Sequence, residues 1–270
     1  MTQILAAYSE TGGATKTTTA VSLAAEAARA GLKTLLIDLD PRGAATKWLG
    51  LEPVDAGLHV GAILADEEPL GWAADLAVPT PWHPRLSFIP SAREVSLREK
   101  ESADHSETRL RLALTDVDFD AVFIDCPNRQ GGPLTLNALT AATDLIIAAK
   151  ADEDGLDGID GAVTTLARYR RASVARGLPE EGLVQLRGIV IGDFPDTIIT
   201  RDARRAIDVL REHYRDHLLT PLIPHRQIVK EARSAGDYFG GYEPAGALVA
   251  GLYAEIAERV LDHYPNKETR

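Results

Sequence analysis

The sequence predicts an α/β fold, a mostly parallel central sheet flanked by helices on both faces. Three observations carry that expectation. Short continuous apolar runs alternate with amphipathic stretches, as when strands are covered on both sides and joined by crossover helices. A glycine pair, Gly12-Gly13, separates the first apolar run from an alanine-rich helical stretch. Two further runs end on Asp38 and Asp125, at the edge where open α/β sheets bind ligands.

The elements follow in order. A strand is expected over 3–8 and a helix over 16–30, closed by Gly31 because a left-handed C-cap wants glycine. Strands at 34–38, 86–89, 121–125, 145–149, 188–191 and 218–222 are mostly apolar runs without strict alternation. Helical patterns at 107–114, 133–141, 156–176, 200–214 and 245–261 lie between or after them. The stretch from 52 to 90 differs. It holds six of the 15 prolines, and Trp48, Trp72 and Trp82 lie in or beside it. Proline removes backbone donors and ends regular elements, so irregular loops and short helices over one sheet edge are expected. Residues 1–270 read as one domain with this insertion, long enough for a sizeable core.

Composition narrows the function. The single cysteine, Cys126, excludes an internal disulfide framework and any cysteine-rich cluster built from one chain. No run approaches the ~20 apolar residues of a membrane span, and no basic n-region opens the chain, so a cytoplasmic protein is expected. The seven histidines show no metal-ligand spacing. Net charge is −11, yet residues 168–233 carry 13 Lys and Arg against 9 Asp and Glu, a local excess of +4. Such a sector can meet a polyanion on an acidic protein, or simply form solvated helix faces.

The sharpest motif runs from Ser9 to Thr19, SETGGATKTTT. Adjacent glycines let successive backbone N–H groups turn inward, and the helix N-terminus adds partial positive charge; together they form a phosphate cradle. A lysine in the first turn reaches β/γ oxygens, and the hydroxyl after it can ligate Mg²⁺. The usual spacing of glycines fails, since Glu10 and Thr15 occupy the two glycine positions. Carboxylates at the ends of 34–38 and 121–125 can hold Mg²⁺ through water or orient an attacking water.

These residues together resemble the ParA/MinD family of deviant Walker A P-loop ATPases, nearest the small ParA partition proteins. Residues 12–19 match its phosphate loop, 35–41 with Gly43 its first switch, and 119–127 with 134–141 its Walker B strand and second switch. Residues 221–224, leading into a helix with Lys230-Glu231-Ala232, resemble its last strand and the loop near the base. The resemblance implies an ATPase that uses ATP and Mg²⁺. Gly12, Gly13, Ala14, Thr15, Lys16, Thr17 and Thr18 would cradle the phosphates, and Asp193 and Pro224 would lie beside the adenine. Thr17, Asp38 and Asp125 would form the metal shell, and Asp40 would position the hydrolytic water. No Asn-Lys-x-Asp guanine reader follows a strand, since Asn266-Lys267 lies in the polar tail, and ATP is favoured over GTP.

The resemblance further implies an ATP-dependent homodimer, nonspecific DNA binding, a ParB-type adaptor and a nucleoid-associated location. Arg201, Arg204 and Arg205, and Arg226, Lys230 and Arg233, fall at spacings that place each set largely on one helix face, where phosphate contacts need only charge. A MinD-like membrane helix is not expected, since 261–270 contains proline and lacks an apolar stripe. The departures matter. The family's signature lysine is Thr11 here, which predicts slow hydrolysis unless Arg42, Arg129 or Lys150 supplies the charge. Thr15 replaces a glycine, Arg42 a glutamine and Asn128 a proline of the family pattern. A nucleotide-held switch with little turnover is the competing reading.

Overall fold

The computed structural model describes residues 2–53, 57–101, 103–195 and 197–265. In chain order the described elements are β1 (Gln3–Tyr8), α1 (Lys16–Arg29), β2 (Thr34–Asp38), α2 (Ala44–Leu49), α3 (Val60–Ala65), α4 (Trp72–Leu76), β3 (Val78–Pro79) and β4 (Leu86–Ile89). There follow α5 (Arg109–Ala113), β5 (Ala121–Asp125), α6 (Pro133–Ala141), β6 (Asp144–Ala149), α7 (Glu153–Ala175), β7 (Gln185–Ile191), α8 (Arg201–His213), α9 (Gln227–Ala235) and α10 (Ala245–Val260).

The strands form one sheet in the order β3-β4-β2-β5-β1-β6-β7, with every pair parallel except β3 with β4. Side chains alternate across β1. Leu5 and Ala7 face a core built with α1, α2 and α10, while Ala6 and Tyr8 face one built with α3, α5, α6, α7 and α8. Both faces are thereby covered, which is why the strands read as continuous apolar runs. Register pairs Asp38 with Asp125 and Asp125 with Ala7, so three adjacent strands deliver their carboxyl ends to one place.

Five strand expectations coincide with or extend into observed strands at one or both ends, and 188–191 is the tail of a longer β7. The seventh is corrected. Residues 218–222 form no regular strand: Leu218 makes an isolated bridge to Ile189, and Leu219 N and Ile223 N donate to the carbonyls of Ile189 and Ile191, both at 2.9 Å. Pro221 and Pro224 have no N–H to continue the ladder. The helix expected at 107–114 begins as a 3₁₀ turn, Ser106–Thr108, before α5.

Within and beside 52–90, of which 54–56 lie outside the described residues, lie α3, α4, β3 and two indoles with a specific job. Trp48 donates its Nε1–H to the Asp237 carbonyl and Trp82 donates to the Gly236 carbonyl, both at 2.9 Å. Two consecutive carbonyls just beyond α9 are thus satisfied by side chains, where a helix end otherwise leaves orphan acceptors. Gly236, at φ +80°, closes α9 in the left-handed region. The two indole rings meet edge to face at 5.8 Å, and Phe239 and Tyr253 extend the cluster into α10.

Candidate nucleotide site

The loop from Ser9 to Thr15 leaves the end of β1 and enters α1. Gly13 has φ +74°, as an inward-turning loop requires. Thr15 has φ 62°, ψ 11°. A β-branched residue there is a genuine outlier, costing about 1–3 kcal/mol, and persists only where its surroundings hold it. Two contacts fix the loop from outside. Asn128 turns its amide nitrogen to the carbonyls of Thr11 (2.9 Å) and Ser9 (3.2 Å). Tyr8 places its hydroxyl 3.0 Å from Glu10 Oε1 and 2.9 Å from the Arg129 carbonyl.

Lys16 and Asp125 make a buried pair, Nζ to Oδ1 at 2.7 Å, with 7% and 0% of their side chains exposed. Burial would lower the Lys16 pKa, but the charge and hydrogen bond of Asp125 outweigh it and hold the amine above its ordinary value. Asp125 Oδ2 is buried and accepts no hydrogen bond. Such an orphaned carboxylate oxygen, on the strand beside β1, whose loop leads into the first turn of α1 and Thr17, suits a hard divalent cation or its water.

Asp38, expected in the metal shell, is wholly buried and turns its oxygens to the protein: Oδ1 accepts from Asp40 N (3.1 Å), and Oδ2 from Thr46 N and Thr46 Oγ1 (both 2.8 Å). Burial and the neighbouring Asp125 push its carboxyl up to about 7, against the pull of the Thr46 hydrogen bonds. Its job is to hold the start of α2 against the end of β2. Asp40, two residues on, lines the open cleft and accepts from Arg42 N at 2.9 Å.

A cleft of about 470 Å³ opens above the loop. Gly12, Gly13, Ala14, Thr15, Lys16, Thr17, Thr18 and Asp40 line it. Ile223, Pro224, Val229, Val249 and Tyr253 line it too and supply apolar surface of the kind a flat heterocycle needs. Asp193 lines the cleft but turns its carboxylate to Lys150 Nζ (2.7 Å) and His225 Nδ1. Burial opposes ionisation of Asp193, yet those two partners prevail and hold its carboxyl below the usual range.

The two basic sets separate. Arg201, Arg204 and Arg205 are exposed on α8, opposite its buried Ala203, Ala206, Ile207 and Leu210. Arg226, Lys230 and Arg233 line the cleft itself, and Arg233 lies over the Trp48 ring at 5.7 Å. Of the three cations that could stand in for the missing lysine, Arg42 and Lys150 line the cleft, whereas Arg129 pairs with Glu99 at 2.9 Å. Thr11 packs on α7, where a Cβ on Gly158 would come within 2.8 Å of its methyl. Asn128 and Thr46 are site residues whose contacts sequence reasoning misses: Asn128 reaches the loop from far along the chain, and nothing in the sequence marks Thr46, eight residues on, as the partner of Asp38. The tail residues 266–270 lie outside the described residues, so Asn266-Lys267 and half of the stretch weighed for a membrane helix have no structural account. No helix among the described residues is long and apolar enough to cross a membrane.

The family model described as an AAA domain matches residues 2–176. The chromosome-partitioning ATPase Soj of Thermus thermophilus is 32% identical, over 95% of this chain and 94% of its own length. The sporulation initiation inhibitor protein Soj of Bacillus subtilis is 30% identical, over 96% of this chain and 98% of its own. The structure described as cobyrinic acid a,c-diamide synthase of Mycobacterium smegmatis, with bound ATP analog and magnesium, aligns with a TM-score of 0.73 at 29% identity, covering 100% of this chain and 98% of that one.

Proposed function

The chain belongs to the ParA/MinD family of P-loop ATPases, and from that premise we propose that it is an ATP-driven DNA partition ATPase. In this reading ATP and Mg²⁺ bind the cleft, two copies associate on ATP, the dimer binds DNA without sequence preference, and a ParB-type adaptor stimulates hydrolysis to ADP and phosphate. The observation that carries it is the cradle itself: a left-handed Gly13, the buried Lys16–Asp125 pair with one carboxylate oxygen free, and apolar side chains lining the same cleft.

Each residue has a stated part. Backbone N–H groups at 12–18 and Lys16 Nζ bind the phosphates, Lys16 exchanging Asp125 for phosphate oxygens. Thr17 Oγ1 and, through water, Asp125 would hold Mg²⁺, which supplies charge neutralisation at the β/γ oxygens. Asp40 orients the attacking water. Thr11 brings no cation, so Arg42, and Lys150 once released from Asp193, would offset developing charge, and turnover without a partner is slow.

DNA binding falls to α8 first. Three arginines in its first two turns, with Asp202 as the one acidic residue in the first turn, oppose the helix dipole, a cost that binding a phosphate there would offset. The α9 set adds charge at the cleft mouth. ATP-state affinity for two unrelated duplexes should be equal and should fall steeply with salt. Replacing Arg204 and Arg205 with glutamate should cost about tenfold or more in affinity, since roughly two phosphate contacts become repulsions, while ATP binding is unchanged. A salt-insensitive signal, or one the double replacement leaves alone, makes these arginines a solvated face. Turnover unmoved by DNA and adaptor together would favour a nucleotide-held switch instead.

A further inference from the structure

We propose that Thr15 and Gly192 form a matched knob and socket that presets the phosphate loop, which makes Gly192 a positioning residue of the nucleotide site. The inference deepens the nucleotide reading above and rests on it for its effect on ATP.

The two residues lie 177 positions apart in the chain and meet where Thr15 lines the cleft, with Gly192 just before Asp193, which also lines it. Thr15 ends the loop and opens α1, at φ 62°. Its side chain rests on the bare Cα of Gly192: a Cβ there would overlap the Thr15 hydroxyl and come within 2.8 Å of its Cβ and 2.9 Å of its Cγ2. Gly192 is not in the left-handed region, so space and not backbone conformation demands glycine. The Thr15 hydroxyl is buried and has no hydrogen-bond partner, so shape, not polarity, holds it in place. A β-branched side chain in that conformation stays only if its neighbours fix it, and the socket is the neighbour that does.

The socket is itself anchored. Gly192 N donates to the Ala149 carbonyl at 2.9 Å, and the next residue, Asp193, is tied to Lys150 and His225. A backbone turn that must be correct for successive N–H groups to face phosphate is thus braced against the far side of the sheet edge.

The test is a cycle of Gly192→Ala, Thr15→Gly and the double variant, read by ATP titration and by amide exchange at 12–18 without nucleotide. Gly192→Ala should weaken ATP at least about tenfold and speed exchange of the loop. Thr15→Gly removes the knob and should itself speed exchange of the loop, and adding it to Gly192→Ala should bring ATP binding back to the level of Thr15→Gly alone. Should Gly192→Ala fail to fold, recovery of folding in the double variant supports the pairing and its absence overturns it. A Gly192→Ala protein that binds and exchanges like wild type, or a double variant no better than Gly192→Ala, also overturns it. Lys16→Ala, run alongside, judges the nucleotide reading separately, because the exchange arm needs no ATP.

Discussion

Lys16→Ala is expected to abolish ATP binding at working concentrations, a loss of about 100-fold or more in affinity. Truncating one partner of a desolvated, charge-assisted contact costs roughly 2–5 kcal/mol, and 1.4 kcal/mol is about tenfold. The structure adds a complication that sharpens the test. Lys16 is also the counter-charge of Asp125, whose side chain is wholly buried. Removing the amine strands a carboxylate beside Asp38, a change worth about 3–5 kcal/mol of stability. Lost binding could then reflect lost folding. The double variant Lys16→Ala/Asp125→Asn removes both charges and should regain much of the thermal stability. It should not regain ATP. Calorimetric titration and melting on the two variants separate the roles, and equal ATP affinity in wild type and Lys16→Ala sinks the site assignment.

Asp40→Ala should behave in the opposite way, keeping ATP and losing hydrolysis by about 10²–10⁴-fold, the range for a positioned acid–base group. The carboxylate lines the open cleft and makes one local hydrogen bond, to Arg42 N, so its removal leaves the fold and the phosphate contacts in place. An interaction made chiefly in the transition state shows in kcat and not in ground-state binding. The ATP-bound dimer should accumulate. Phosphate release with parallel sizing reads both effects. If ATP binding disappears instead, Asp40 belongs to the metal shell.

The strands that carry the site are legible because burial on both faces leaves an unbroken apolar signature, and Asp38 and Asp125 close two such runs. The loop is legible from Gly12, Gly13 and Lys16. What each carboxylate does is not. Asp38 and Asp125 look alike in sequence, yet Thr46 saturates one while Lys16 leaves an oxygen of the other free. That choice depends on where α2 begins. The facing of Arg226, Lys230 and Arg233 into the cleft is equally hidden, since it follows from how the end of α9 is held by Trp48 and Trp82. Residues 218–222 mislead because an apolar run with two prolines near it satisfies the composition of a strand but not its donors.

The indole contacts at the end of α9 also give the molecule an optical readout. Trp48 is carried on α2, which Thr46 ties to Asp38, and its ring is sealed against Trp82 and Phe239 with its N–H on Asp237. Any shift of residues 40–46 on loading the cleft must alter the polarity around that chromophore, while the partly exposed Trp72 stands away from it on α4. Tryptophan emission should therefore report movement of residues 40–46 in unlabelled protein. A stopped-flow trace with ATP against ADP would time the conformational step directly, and a Trp48→Phe protein should lose that signal.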